Sequence, residues 1–218
     1  MIPYFSHHCK WIKKKGKNRK YIKNIYRKKY DGRNEKKICF DTSKLIIYTA
    51  ITGNYDNLKD PLFVDPSITY VCFTNNKKLK SDIWNIEYIN DNSSDNRELA
   101  RIIKLQPHKY FRDFETSVWI DGKFQIKNNL KEYIKKYEKT TPVLCFPHFE
   151  RNCIYSEAAA CIYSKRGNKK AIINQICQYY MQNYPFDNGL YETGCMVRAH
   201  NSDLCQKIMS DWKHELDK

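Results

Sequence analysis

The chain has 218 residues, 39 Lys and Arg against 24 Asp and Glu for a net charge of +15, and 41% hydrophobic residues. That length suits one α/β domain with a proper core and is short for two. Residues 1–40 carry 14 Lys and Arg against 2 Asp and Glu, a net +12, so residues 41–218 contribute only +3 and the basicity belongs to an N-terminal arm.

No apolar run approaches the length of about 18 residues that crosses a bilayer. Met1-Ile2-Pro3-Tyr4-Phe5 leads into polar and basic residues, not into the apolar core of a signal peptide. The nine cysteines are odd in number and scattered, mostly within apolar segments (Cys72, Cys145, Cys161, Cys177, Cys195), which fits reduced thiols in a cytoplasmic protein. No C-x-x-C occurs, and His7-His8-Cys9 or Cys153 with Cys161 make weak zinc candidates.

In the arm, Lys13-Lys14-Lys15-Gly16-Lys17-Asn18-Arg19-Lys20 is interleaved with Trp11, Tyr21, Ile25 and Tyr26. Residues 10–37 therefore read either as a solvated extension or as a segment that meets an anionic membrane surface, which would make the protein peripheral to the membrane. Nothing after residue 40 has the form of a recognition helix, a zinc finger or an aromatic ribonucleoprotein motif, so no specific nucleic acid is expected.

Residues 44–51 read as a first buried strand, bounded by the turn Thr52-Gly53-Asn54-Tyr55-Asp56. Residues 69–74 and 85–89 follow as strands between polar loops. Asn96 is placed to cap a helix through Glu98, Leu99, Ile102, Ile103 and Leu105, which Pro107 limits. A strand over 116–120, a helix over 128–137 and a strand over 142–146 continue the alternation of an α/β fold. Helices are expected over 154–163, 170–184 and 202–216, the last with Leu204, Ile208, Trp212 and Leu216 at four-residue steps.

Asp121 follows the apolar run Ser117-Val118-Trp119-Ile120, and a carboxylate at the carboxyl end of a buried strand is where open α/β sheets place ligand sites. Arg101 and Lys104 lie three apart on one helix face and can meet an anionic group together, or form a solvated basic edge. His148, Arg151, Tyr155 and Glu157 cluster around a helix start after a strand, either as a pocket or as a capped helix with an Arg/Glu pair. Glu192 is a lone carboxylate in a loop before an apolar strand, which can accept a hydrogen bond from a ligand or cap the turn.

Several islands then occur in order: residues 48–56, Cys72-Phe73-Thr74, residues 101–108, Trp119-Ile120-Asp121-Gly122, residues 146–157 and residues 187–201. Together they resemble the TOD/MUCI-type glycosyltransferase-like family over about residues 45–215. The resemblance implies a GT-A-like, Rossmann-like fold: a mostly parallel central sheet flanked by helices in one domain, 41–218, behind the basic arm 1–40.

It also implies a nucleotide-diphospho-sugar donor, a divalent cation (Mn or Mg) on the diphosphate, and a glycan, polysaccharide or glycolipid acceptor. On this reading the donor and acceptor are met by Thr49, Ala50, Tyr55, Arg101, Lys104, Lys123, His148, Arg151, Glu157 and Arg198. Glu192 and Asp121 carry the chemistry, Asp121 holding the metal with His200, His148 or Glu192 as further ligand candidates. Here the family's Asp-x-Asp is Asp121-Gly122-Lys123, so one carboxylate is missing and the Lys123 ammonium is a candidate for part of the ion's work. The family pattern continues into a segment with a Ser-x-Arg-Asp-Gln core beyond the last helix, leaving a fragment or a shortened relative as expectations. A non-catalytic sugar-nucleotide or glycan binder, held at an anionic surface by the arm, is the competing expectation.

Overall fold

The computed structural model describes residues 40–53, 55–90, 95–135 and 141–217. The basic arm and its expected contacts lie outside the described residues.

Six strands form one sheet: β1 (Leu45–Ile51), β2 (Thr69–Thr74), β3 (Asn85–Tyr88), β4 (Thr116–Ile120), β5 (Val143–Pro147) and β6 (Tyr191–Arg198). Their order is β3-β2-β1-β4-β6-β5. β1 pairs in parallel with β2 and β4, and β2 in parallel with β3, whereas β6 runs antiparallel between β4 and β5. The result is the α/β, mostly parallel sheet expected from the sequence. All residues of β1 and β4 are buried, as strands covered on both faces must be.

The helices are α1 (Asn96–Leu105), α2 (Pro107–Tyr110), α3 (Leu130–Lys135), α4 (Ile154–Tyr163), α5 (Lys169–Met181) and α6 (Asp203–Leu216). Asp95, not Asn96, caps α1, its carboxylate accepting from the Arg97 N–H at 3.0 Å. Pro107 cannot continue α1, and Gln106 before it leaves helical geometry at φ −121°, ψ 46°. The expected helix over 128–137 starts only at Leu130, because Asn129 caps it by accepting from the N–H groups of Lys131 and Glu132.

One face of the sheet, with Tyr48, Trp119, Met196 and Ala50, packs on Leu99 and Ile103 of α1, Phe111 and the Cys205, Ile208, Met209 and Trp212 stripe of α6. The other, with Ile47, Cys72, Val118 and Ile120, is covered by Trp84, Ile126 and Ile134. α4 and α5 bury their own cluster of Ile154, Ala158, Cys161, Ile172 and Tyr179 with Leu190. Among the described residues, no helix is long and apolar enough to cross a membrane, and every cysteine is free.

Candidate functional site

The chain reverses its order of strand addition between β1 and β4: β2 and β3 extend the sheet on one side, β4, β6 and β5 on the other. At such a switch point the connections leave in opposite directions and open a crevice at the carboxyl ends of the strands. The loop after β1 and the turn after β4 leave the sheet at that edge here.

Along β4, side chains alternate between faces, so Trp119 and Asp121 share one side. The Trp119 indole N–H donates to Asp121 Oδ1 at 2.7 Å, and the Lys104 ammonium donates to the same oxygen at 3.0 Å. The ammonium also reaches Thr193 Oγ1 at 3.4 Å and lies 5.3 Å from the Trp119 ring centroid. The Lys104 side chain is 14% exposed and that of Asp121 31%, so the ammonium is mostly buried and the carboxylate partly open at the carboxyl end of β4. Burial pulls the Lys104 ammonium below its ordinary pKa while the Asp121 charge pulls it back up.

Two glycines make this packing feasible. A Cβ on Gly194 would stand 2.3 Å from Phe124 Cε2 and 3.1 Å from Asp121 Oδ2, and one on Gly122 would stand 2.4 Å from Ile51 Cδ1 and 3.1 Å from Asp56 Cβ. The Asp121 N–H donates to the Gly194 carbonyl at 2.7 Å, and the pairing shifts register so that Phe146 faces Glu192 while Cys145 faces Met196. That bulge in β6 turns Thr193 toward Lys104. Cys195, next along the bulge, has its thiol pushed up to about 12 by burial, which keeps it protonated and unreactive.

The turn after Asp121 is closed by the main chain, the Phe124 N–H donating to the Asp121 carbonyl at 2.9 Å. The Asp121 carboxylate therefore does not cap the turn. On the β1 and β2 side, the Gly53 N–H donates to Asn75 Oδ1, Asn75 Nδ2 donates to Asn96 Oδ1, and the Thr52 hydroxyl donates to the Asn96 carbonyl, each at 2.7 Å. This net joins the first turn of α1 to the end of β1. The Arg97 guanidinium lies 5.5 Å from the ring centroid of the exposed Tyr55.

The other expected residues divide. Arg101 is exposed on α1. Lys123 is exposed and lies over the Phe124 ring at 5.0 Å, so Lys104 and not Lys123 supplies the ammonium at Asp121. Glu192 lies in β6, opposite Phe146 and two residues before Gly194, on the same rim as Asp121. Thr49 is 2% exposed and Ala50 is buried, both inside the sheet, so their side chains are walls of the core and not donor contacts.

Arg198 and His200 are corrections as well. Arg198 is fully buried and donates to the Lys104 carbonyl and the Tyr48 hydroxyl, so its role is structural. Burial pushes the Tyr48 hydroxyl up to about 12 despite that guanidinium, so it remains a neutral phenol. His200 is 1% exposed and meets the Phe111 carbonyl through Nε2 at 2.8 Å. Because Arg198 already faces Ser117 in the antiparallel register, His200 sits at the far end of β4 from Asp121, roughly 15–20 Å away at about 3.3 Å per residue, and the two cannot share an ion.

A second polar group forms where β5 runs into α4. The Arg151 guanidinium donates to Glu157 Oε2 and to Glu150 Oε2, the latter at 2.9 Å. His148 Nδ1 accepts from the N–H groups of Glu150 and Arg151 at 3.2 and 3.1 Å, fixing the ring in front of Arg151. The exposed Phe149 ring stacks on it with centroids 5.6 Å apart. Tyr155 leaves this group and donates to the Tyr184 carbonyl at 2.7 Å. His148, Arg151 and Glu157 thus lie together as an ion-paired helix entrance, one of the two arrangements expected.

A divalent cation on Asp121 fits these side chains poorly. Among the described residues, no three His, Cys, Asp or Glu side chains converge. Asp56 packs against Gly122 beside Ile51, whereas Asp121 Oδ1 is held on the Trp119 side. An ion on Asp121 would share its carboxylate with the Lys104 ammonium, which donates to Oδ1 at 3.0 Å. At an effective dielectric of about 20, one unit charge at 4 Å repels another by about 4 kcal/mol, and a divalent ion by about twice that.

A family model described as a TOD1/MUCI70 glycosyltransferase-like domain matches residues 8–203. The match spans most of the chain, and the chain belongs to that family. It begins within the basic arm, well before β1. No curated protein and no solved structure matched the chain.

Proposed function

We propose that this member of the TOD1/MUCI70 glycosyltransferase-like family transfers a sugar from a nucleotide-diphospho-sugar to a glycan, polysaccharide or glycolipid. The observation that carries the reading is the Lys104–Asp121–Thr193 group, mostly buried at the carboxyl end of β4 beside the switch point. The donor diphosphate lies over this group, with Arg97 and Arg101 of α1 and Lys123 at its edges. An acceptor hydroxyl oxygen forms a bond to the sugar C1 while the C1–O bond to the diphosphate breaks, its electron pair leaving on the diphosphate. Glu192 takes the proton from the acceptor hydroxyl. His148, Arg151 and Phe149 sit on the acceptor side, where the ring face of Phe149 suits the C–H face of a sugar.

A thermal-shift panel of uridine and guanosine diphosphates and their sugars, on the intact chain and on Asp121→Ala, tests this. A rise of several degrees with one nucleotide, lost in the variant, together with release of free sugar from the matching sugar nucleotide, is the expected result. Binding without sugar release or transfer would leave a non-catalytic sugar-nucleotide binder. A flat response to every nucleotide would overturn the donor site altogether.

A further inference from the structure

We infer that the counter-charge for the donor diphosphate is built into the fold as the Lys104 ammonium, and that nucleotide binding at this site needs no divalent ion. The inference rests on the donor-site reading above and deepens it. Three features carry it. The position after Gly122, where the family's second carboxylate would stand, is Lys123, and its side chain turns to Phe124. The carboxylate that remains, Asp121, receives an ammonium and an indole N–H on one oxygen, which is the coordination of a neutralised anchor and not of an open metal ligand. The ammonium is held from three sides, by Asp121, Thr193 and the face of Trp119, while its own main-chain carbonyl is gripped by Arg198.

An ammonium has three protons, and Asp121 and Thr193 take two of them. The third remains for a diphosphate oxygen in the crevice. A cation fixed by three partners needs no reorganisation as the charge develops on the leaving diphosphate, which is the condition for effective electrostatic stabilisation. Asp121 then acts as a positioning residue: it holds the lysine charged and in place. A metal ion does the same chemical work elsewhere, but it must be bound from solution, and here the ammonium already occupies that place.

The test measures the affinity of uridine and guanosine diphosphates for the full chain in EDTA, and again with manganese or magnesium, on the native protein and on Lys104→Met and Lys104→Arg. We expect one nucleotide to bind in EDTA within about twofold of its affinity with metal. Lys104→Met should lower that affinity by tenfold or more, and Lys104→Arg should recover most of it. Circular dichroism and apo melting temperatures establish that both variants are folded, and the comparison of EDTA with metal on the native chain needs no variant at all. Binding that appears only with a divalent ion would overturn the inference and leave the donor site standing. Binding in EDTA that is indifferent to Lys104→Met in a folded protein would also overturn it. No nucleotide binding under any condition would sink both this inference and the proposed function.

Discussion

The guanidinium of Arg198 donates to the main-chain carbonyl of Lys104, a contact that spans 94 residues of sequence and joins β6 to the last turn of α1. The Tyr48 hydroxyl donates to the same carbonyl at 3.0 Å. A helix C-terminus carries unpaired carbonyls and partial negative charge, so a buried cation there both satisfies an acceptor and complements the dipole. The consequence is positional: Arg198 fixes where α1 ends, and that end carries the Lys104 ammonium to Asp121.

Arg198→Ala removes that grip and leaves a cavity in the packed sheet face, and we expect a loss of about 3 kcal/mol, read by urea unfolding. Arg198→Met keeps most of the volume without burying a charge and should cost less than half as much. Nucleotide affinity should fall in both variants, since the Lys104 carbonyl is left to the Tyr48 hydroxyl alone. Full affinity in a folded Arg198→Met protein would show that α1 needs no such anchor.

Gly194→Ala places a methyl group against Phe124 and Asp121, and overpacking of this kind costs about 1–3 kcal/mol. Phe124 is 41% exposed and can be trimmed with little penalty of its own. Adding Phe124→Ala to Gly194→Ala should therefore restore most of the stability, a coupling a double-mutant cycle reads directly. Additive losses would mean that the strain falls elsewhere.

Glu192→Gln keeps the size and polarity of the side chain but cannot take a proton. Transfer should fall by about 10²–10⁴-fold with the donor thermal shift unchanged. A parallel loss of donor affinity would reassign Glu192 to binding.

Burial holds the imidazoles of His200 and His108 below their ordinary pKa. The unfolded chain takes up protons on these rings near pH 6.5, and the folded chain only at lower pH. Between the folded and unfolded values the unfolded state binds more protons, so stability is intact above about pH 6.5 and declines as the pH falls below it, by up to about 1.4 kcal/mol per pH unit through His200 and by less through His108, whose charge solvent screens. Urea midpoints at pH 7.5 and 5.5 should differ accordingly. In a folded His200→Gln protein, whose amide can still donate to the Phe111 carbonyl, the difference should shrink.

Much of this was legible in the chain. β1, β2 and β4 follow from apolar β-rich runs between turn residues, and α6 from its four-residue stripe, because local periodicity and the need for burial act within short windows. Asp121 stood out for the same reason, as a carboxylate where such a run stops, while its contact with Trp119 came only with the structure. The identity of the third member was not legible. Lys104 and Lys123 are equivalent as charges in a sequence, and only the crossing of α1 over the sheet puts the first on Asp121 and leaves the second over Phe124.

Arg198 and His200 follow the same logic in reverse. Polar residues in a distinctive island invite a binding role, but β6 inserts antiparallel between β4 and β5, and that direction sends Gly194 to the crevice and Arg198 and His200 to the buried far end. Strand direction and neighbour are set by contacts among segments tens of residues apart, which no local pattern records. The sequence by itself therefore determined the elements, the alternation of strand and helix, and the strand end at which to look. The tertiary structure alone decided which cation faces the carboxylate, and which polar side chains line a crevice and which hold up its floor.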